Sequence, residues 1–211
     1  MGTIHIDLFA TLDLVAQAPG GPEEDTEGGF AFGGWQAPLI DETAGEQIMA
    51  GMVGMDALLL GRKTYDIFAA FWPHQEEGPD GEIAALFNRI PKYVASHGRP
   101  ELEWAGSSLL DPDLASGVRQ LRDQHENIHV IGSLNLVQTL LREHLFNQLN
   151  LWIHPIVLGA GKKVFDGGAV PSNLTLLEPP AVSGQGTVYL RYGLGTGTPA
   201  VGDMTSDDRG N

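Results

Sequence analysis

The sequence predicts an α/β fold: a central, mostly parallel sheet with an antiparallel C-terminal edge and helices on both faces. Three observations carry this. Short apolar strand segments alternate with helix-patterned segments through the middle of the chain. Two of these strands stop at a glycine, with a helix beginning within three residues. From Leu149 onward, strand patterns follow one another without an intervening helix.

The elements follow in order. Ile4, Ile6 and Leu8 alternate with His5 and Asp7, the period-two pattern of a strand over residues 2–10. Residues 13–38 hold six glycines and three prolines, so no helix or strand runs through them, and Phe30, Phe32 and Trp35 favour an ordered, wrapped loop. Thr43 and Glu46 read as a capping box before the helical spacing of Ile48, Met49, Met52 and Val53. Ala57–Leu60 is a buried strand stopped by Gly61; helices follow over 64–70 and 82–89, then a short strand over 93–95. Asp111 before Pro112 marks the start of a helix carrying Leu114, Val118 and Leu121. His129–Ile131 is a strand ending at Gly132, and Ser133 opens a helix with Leu136, Val137, Leu140 and Leu141 inward. Strands over 149–153, 174–177 and 187–194 complete the sheet. Residues 1–195 form one domain on this reading, and 196–211 are expected as a disordered acidic tail.

Composition narrows the function. Twelve Lys and Arg stand against 27 Asp and Glu, a net charge of −15, which opposes non-specific binding to nucleic acid or an anionic membrane. The absence of cysteine removes disulfides, thiolate metal sites and thiol nucleophiles. The seven histidines show no metal-ligand spacing, so no metal is expected. No apolar run suits a membrane span and no export signal is visible, which fits a cytoplasmic protein. The acidity is uneven: residues 1–61 hold ten carboxylates and no Lys or Arg, and the first cation is Arg62.

Arg62 and Lys63 sit in the turn of ALLLGRKTYDIF, where a buried strand gives way to a helix whose first N–H groups can meet an anion. A guanidinium fork beside a compact ammonium suits phosphates, and Thr64 can add a hydroxyl or cap the helix. A solvated surface turn is the plainer alternative. HVIGSLNLVQTLL repeats the strand–Gly–helix arrangement without cations, able to hold a pyrophosphate by backbone groups alone. Neither segment is a G-x-G-x-x-G or a lysine-terminated phosphate loop.

Taken together and in order, TLDLVAQAPGGPEEDTEGGFAFGGW, LLLGRKTY, KYVAS, VIGS and LNLWIHPIVLGAGKKVF resemble the dihydrofolate-reductase-like superfamily. The resemblance is closest to the C-terminal reductase domain of the bifunctional riboflavin-biosynthesis deaminase/reductase, and it runs from Ile4 to Leu194. It implies an NADPH-dependent reductase acting on a small molecule, and a homodimer formed through the late strands. The riboflavin-pathway reduction of 5-amino-6-(5-phosphoribosylamino)uracil is the nearest named reaction. A pterin, folate or other small-molecule reductase, or a catalytically weakened ligand-binding homodimer, are the alternatives. The deaminase half of the bifunctional relatives needs His and Cys zinc ligands, so this chain is expected to supply only the reductase step.

Carried over residue by residue, the resemblance places the cofactor's phosphates at Gly61, Arg62, Lys63 and Thr64 and its adenosine portion at Ser96. The pyrophosphate and nicotinamide side falls at Gly132, Ser133 and Leu134, and the nicotinamide itself beside Ala10, Thr11 and Ala16. Leu14 departs from the pattern, because relatives carry glycine directly after Leu-Asp. Folate-reducing relatives use a carboxylate on the first helix for binding and protonation, for which Asp41, Glu42 and Glu46 compete here. Asp13, past the first strand at the ligand-collecting edge of the sheet, is the other candidate acid. His154, Gly159 and Lys162 fall on the substrate side, where Lys162 or Lys163 would meet a substrate phosphate unless the two lysines are merely solvated.

Overall fold

The computed structural model describes residues 1–78 and 80–203, so the last eight residues of the expected tail lie outside the described residues. In chain order the elements are β1 (Thr3–Thr11), α1 (Glu42–Gly51), β2 (Ala57–Gly61), α2 (Arg62–Phe71), α3 (Gly81–Arg89), β3 (Lys92–Ala95) and β4 (Ser107–Leu109). They continue with α4 (Leu114–Gln124), β5 (Asn127–Ile131), α5 (Leu134–Arg142), β6 (Gln148–His154), β7 (Leu174–Leu176), β8 (Ala181–Val182) and β9 (Val188–Leu194). The sheet runs β4-β3-β2-β5-β1-β6-β9-β7, with β8 also paired to β9. Strands β1 to β6 pair in parallel, and β9 turns the edge antiparallel.

Side-chain alternation divides the core between the two faces. Ile4, Ile6, Leu8 and Ala10 of β1 join Val118 and Leu121 of α4 and Leu136, Val137 and Leu140 of α5 on one face. Leu58 and Leu60 of β2 point to the other, against Tyr65 of α2 and Phe87 of α3. Helices therefore cover both faces, and β1 is buried on each side. Its second face carries a polar stripe in place of aliphatic packing. His5 stacks on His129 with ring centres 4.4 Å apart, His129 Nδ1 lies 2.7 Å from Asp7 Oδ2, and Asn150 Nδ2 donates to Asp7 Oδ1 at 2.8 Å.

Local differences from the sequence reading lie at helix starts and in two short strands. The α1 cap is Asp41, whose carboxylate accepts from Ala44 N at 2.8 Å; the Thr43–Glu46 capping box does not form, because Thr43 already lies inside the helix. Asp111 Oδ1 accepts from Asp113 N, so the turn containing Pro112 precedes α4 instead of belonging to it. Strands β4 and β8 were not expected. Within the long loop, single 3-10 turns form at Glu27–Gly29 and Ala37–Leu39, and Trp35 is buried with its indole N–H donating to Gln17 O. Among the described residues, no helix is long and apolar enough to cross a membrane, and no group of three or more potential metal ligands occurs.

Candidate functional site

Because β2 and β5 are neighbours in the sheet, the two strand–Gly–helix turns meet at its carboxyl edge. Gly61 leads into α2, and Gly132 and Ser133, with φ of 64° and 57°, reverse the chain into α5. Glycine adopts this left-handed conformation freely, whereas serine pays about 1–2 kcal/mol for it. The hydroxyls of the two turns are spent on each other: Ser133 Oγ accepts from Gly61 N at 2.9 Å, and Thr64 Oγ1 accepts from Ser133 N at 3.0 Å. A Cβ on Gly61 would lie 3.4 Å from Ser133 Cβ, so the turns are in contact. No side chain caps α2 or α5. The first turns of both helices thus keep N–H groups and positive dipole ends for a ligand.

Both turns line one groove of about 1400 Å³, larger than the ~300–1,000 Å³ of an ordinary small-ligand pocket and roomy enough for a dinucleotide with a second molecule. Of the residues expected to bind, Ala16, Gly61, Arg62, Lys63, Thr64, Ser96, Gly132, Ser133, Leu134 and Lys162 line it. One wall is apolar, built by Phe9 of β1, Ile48 and Met49 of α1, and Ile67 and Phe68 of α2. The acidic loop containing Glu23, Glu24, Asp25 and Glu27 also lines the groove.

The loop is tied to the cations. Arg62 Nε pairs with Asp66 at 2.7 Å along the helix, Lys63 Nζ bonds Glu27 Oε2, and Lys162 Nζ lies 2.5 Å from Asp25 Oδ2 and 2.8 Å from Glu27 Oε2. Hydrogen bonds from Lys162 and Lys63 hold the Glu27 carboxyl down to about 2. Burial works against the charge on Lys162, but its bonds to Asp25 and Glu27 outweigh it and raise its affinity for the proton.

The other expected residues do not line the groove. Ala10 and Thr11 are fully buried, and Ala10 O faces His154 Nδ1 at 3.3 Å. His154 is buried too, its Nδ1 3.0 Å from Trp152 O, and burial lowers its pKa. Glu46 is exposed on α1. Asp41, besides capping α1, accepts from Gln185 N at 2.8 Å, which braces α1 to the β8–β9 turn. Gly159 N donates to Asp13 Oδ2 at 2.9 Å.

Asp13, the other candidate acid, lies outside the groove lining and accepts hydrogen bonds on its carboxylate. It receives the Thr11 hydroxyl at 2.6 Å together with the N–H groups of Leu158 and Gly159, with Lys163 Nζ 3.7 Å away. The Thr11 bond first, then the two N–H groups, hold its carboxyl at about 2. It is a structural anion that fastens the first loop to the corner after β6. Leu14 completes the same turn at φ 66°, with Leu14 N donating to Thr11 O at 2.8 Å and Leu14 O accepting from Val164 N at 2.9 Å. Leucine therefore occupies the left-handed conformation that glycine adopts freely, with both backbone bonds of the turn formed. Leu14→Gly should relieve about 1–2 kcal/mol of backbone strain while losing side-chain packing. Urea unfolding of the variant reads the balance of these two effects, since both backbone bonds remain.

Glu24 is the groove carboxylate that sequence reasoning passed over, because an acidic run beside prolines reads as solvated. Its Oε2 accepts from Gly20 N at 2.6 Å and Gly21 N at 3.2 Å. Burial pushes its pKa up, against the opposing pull of those two N–H groups.

Comparison with known proteins agrees with this architecture. The uncharacterised protein YyaP of Bacillus subtilis is 29% identical over 140 residues, 65% of this chain and 73% of its own length. A candidate riboflavin biosynthesis protein from Shewanella sp. PV-4 superposes with a TM-score of 0.70 at 18% identity, covering 92% of this chain and 99% of its own. A pyrimidine reductase-like protein from Corynebacterium diphtheriae gives 0.59 at 12% identity, with 93% of each chain covered. RibD of Acinetobacter baumannii gives 0.60 at 12% identity; the match takes in 93% of this chain but only 59% of RibD. These likenesses establish a shared fold. The RibD C-terminal domain model matches residues 3–188, nearly the whole sheet and both uncapped helix turns, and the chain belongs to that family.

Proposed function

We propose that the chain is an NADPH-dependent reductase that delivers hydride to a C=N or C=O bond of a small heterocycle. The reduction of 5-amino-6-(5-phosphoribosylamino)uracil is the nearest named reaction. Family membership supports the reductase class. The observation that carries the cofactor is the pair of uncapped helix N-termini opening side by side on one groove, with Arg62 and Lys63 at the first of them. These residues fit a dinucleotide bearing three phosphates: the α2 turn offers two cations and the α5 turn offers backbone donors alone. NADPH supplies the hydride, so the protein's work is positioning and the exclusion of water.

Gly61 to Thr64 and Gly132 to Leu134 hold the phosphates in this reading, Ser96 the adenosine side, and Ala16 the nicotinamide side. The apolar wall of Phe9, Ile48 and Met49 desolvates the reacting bond. Asp13 keeps its charge and cannot give up a proton near neutral pH. Glu24, whose carboxyl holds its proton more tightly than an ordinary glutamate, is the groove residue suited to donate one. Glu24→Gln should lower kcat by about 10²-fold or more while leaving the Kd for NADPH within about twofold. An unchanged kcat with a turned-over substrate would remove Glu24 from the mechanism. The test of the function as a whole is NADPH oxidation at 340 nm against the phosphoribosylaminouracil, dihydrofolate and a dihydropterin. Turnover of any one supports a reductase; saturable NADPH binding without turnover of a broader panel would favour the ligand-binding alternative.

A further inference from the structure

The two lysines of the groove belong to distant parts of the chain, yet they converge on a single oxygen. Lys63 Nζ and Lys162 Nζ both bond Glu27 Oε2. Lys63 sits in the first turn of α2, so Lys162 lies beside that turn and not in a separate substrate pocket. We infer that Lys63 and Lys162 together form a phosphate subsite for the cofactor, and that the Glu27 carboxylate fills this subsite until the cofactor displaces it. This rests on the reading of the groove as a dinucleotide site.

The loop does not need Glu27's side chain to stay in place. Gln17, almost fully buried, donates to Asp25 O and Glu27 O at 3.0 Å each and accepts from Lys162 N at 3.0 Å. That amide already fastens the loop backbone to the corner carrying Lys162. The carboxylate of Glu27 is 55% exposed and Lys63 is 65% exposed, so separating them in water costs little. Asp25, less exposed, still holds Lys162 in position after Glu27 has left. A phosphate oxygen entering between the lysines would replace one anionic acceptor with another of higher charge. With Lys63 and Lys162 committed in this way, Arg62 is the one other lysine or arginine among the described groove residues.

The experiment titrates the full chain with NADPH, and in parallel with inorganic pyrophosphate, comparing wild type with Glu27→Gln, Lys162→Gln and the double variant. Glu27→Gln should bind both probes about threefold to fivefold more tightly. Lys162→Gln should weaken both by about tenfold, and most of the gain from Glu27→Gln should vanish in its background. Unfolding midpoints of the four proteins check that the loop remains folded. If Glu27 merely pins the loop, its replacement will weaken binding or leave it unchanged, and the inference fails. It also fails if Lys162→Gln leaves both probes untouched and raises only a substrate KM. Wild-type protein that binds pyrophosphate but not NADPH would sink the dinucleotide reading and leave the lysine pair as a phosphate site of another kind. Failure to bind either would overturn both.

Discussion

Neutralising Arg62 and Lys63 together should raise the Kd for NADPH by about 100-fold, while the paired control Arg119→Ala with Arg142→Ala leaves it unchanged. The magnitude is two charge-assisted contacts at about 1.5 kcal/mol each, at the low end of the range for bonds to charged groups. The fold should survive. Among the described residues, Arg62 pairs only with Asp66 one turn along α2, with side chains 40% and 50% exposed, and Lys63 only with the exposed Glu27. Surface pairs of this kind contribute at most about 1 kcal/mol. A separate reason makes the pair decisive. The ten carboxylates and no cations of residues 1–61 set a repulsive background that an anionic ligand has to overcome locally, and Arg62 is where that begins. A double variant that binds NADPH like the wild type would move the phosphates elsewhere.

His5 should take about 3 kcal/mol from the stability between pH 6.5 and about 4, with buried His154, its pKa also lowered, adding to the loss below pH 6.5. Burial, and then the neighbouring His129, lower the pKa of His5 from 6.5 to about 4. The unfolded chain therefore takes up a proton in this interval that the folded chain refuses, and at about 1.4 kcal/mol per pH unit the folded state loses ground throughout it. Above pH 6.5 both states leave His5 neutral and its contribution is complete. Both imidazole nitrogens of His5 are buried without a hydrogen-bond partner among the described residues, and Asp7 is engaged by His129 and Asn150. The charge of Asp7 and the side chain of Asn127 favour a protonated ring, but burial and His129 outweigh them. Carboxylates with depressed pKa act lower down: Asp13 and Glu27, both held near 2, withdraw their contributions only below about pH 4.5. Urea midpoints at pH 7 and pH 4 measure the effect. His5→Asn should flatten most of the difference; an equal loss in that variant would assign the acid sensitivity to another group.

What the sequence shows of this protein is what local pattern can encode. Strand–Gly–helix turns are visible because apolar alternation, a glycine and a helix start lie within a dozen residues, and both are found where expected. Helix caps were misplaced for a local reason as well. Asp41, Thr43 and Asp111, Asp113 are all competent caps, and the choice among them depends on where the backbone leaves the extended region. Strand β4 was invisible because a three-residue edge strand with two exposed positions has no alternation to read. The site's wiring was beyond any local pattern. Ser133 reaches Thr64 across 69 residues, and Lys162 meets Glu27 across 135, contacts created by the adjacency of β2 with β5 and by the loop returning over the groove. Asp13 illustrates the consequence: its position at the sheet edge suggested an acid, but the N–H groups that make it an anchor come from Leu158 and Gly159.

The central claim is that two uncapped helix turns and the Arg62–Lys63 pair form an NADPH site. Its most direct test is a fluorescence titration of the purified full chain with NADPH and with NADH under identical conditions. The account predicts saturable binding of one NADPH per chain, at least about tenfold tighter than NADH because of the extra phosphate. Absence of saturable binding, or equal affinity for the two nucleotides, would contradict it.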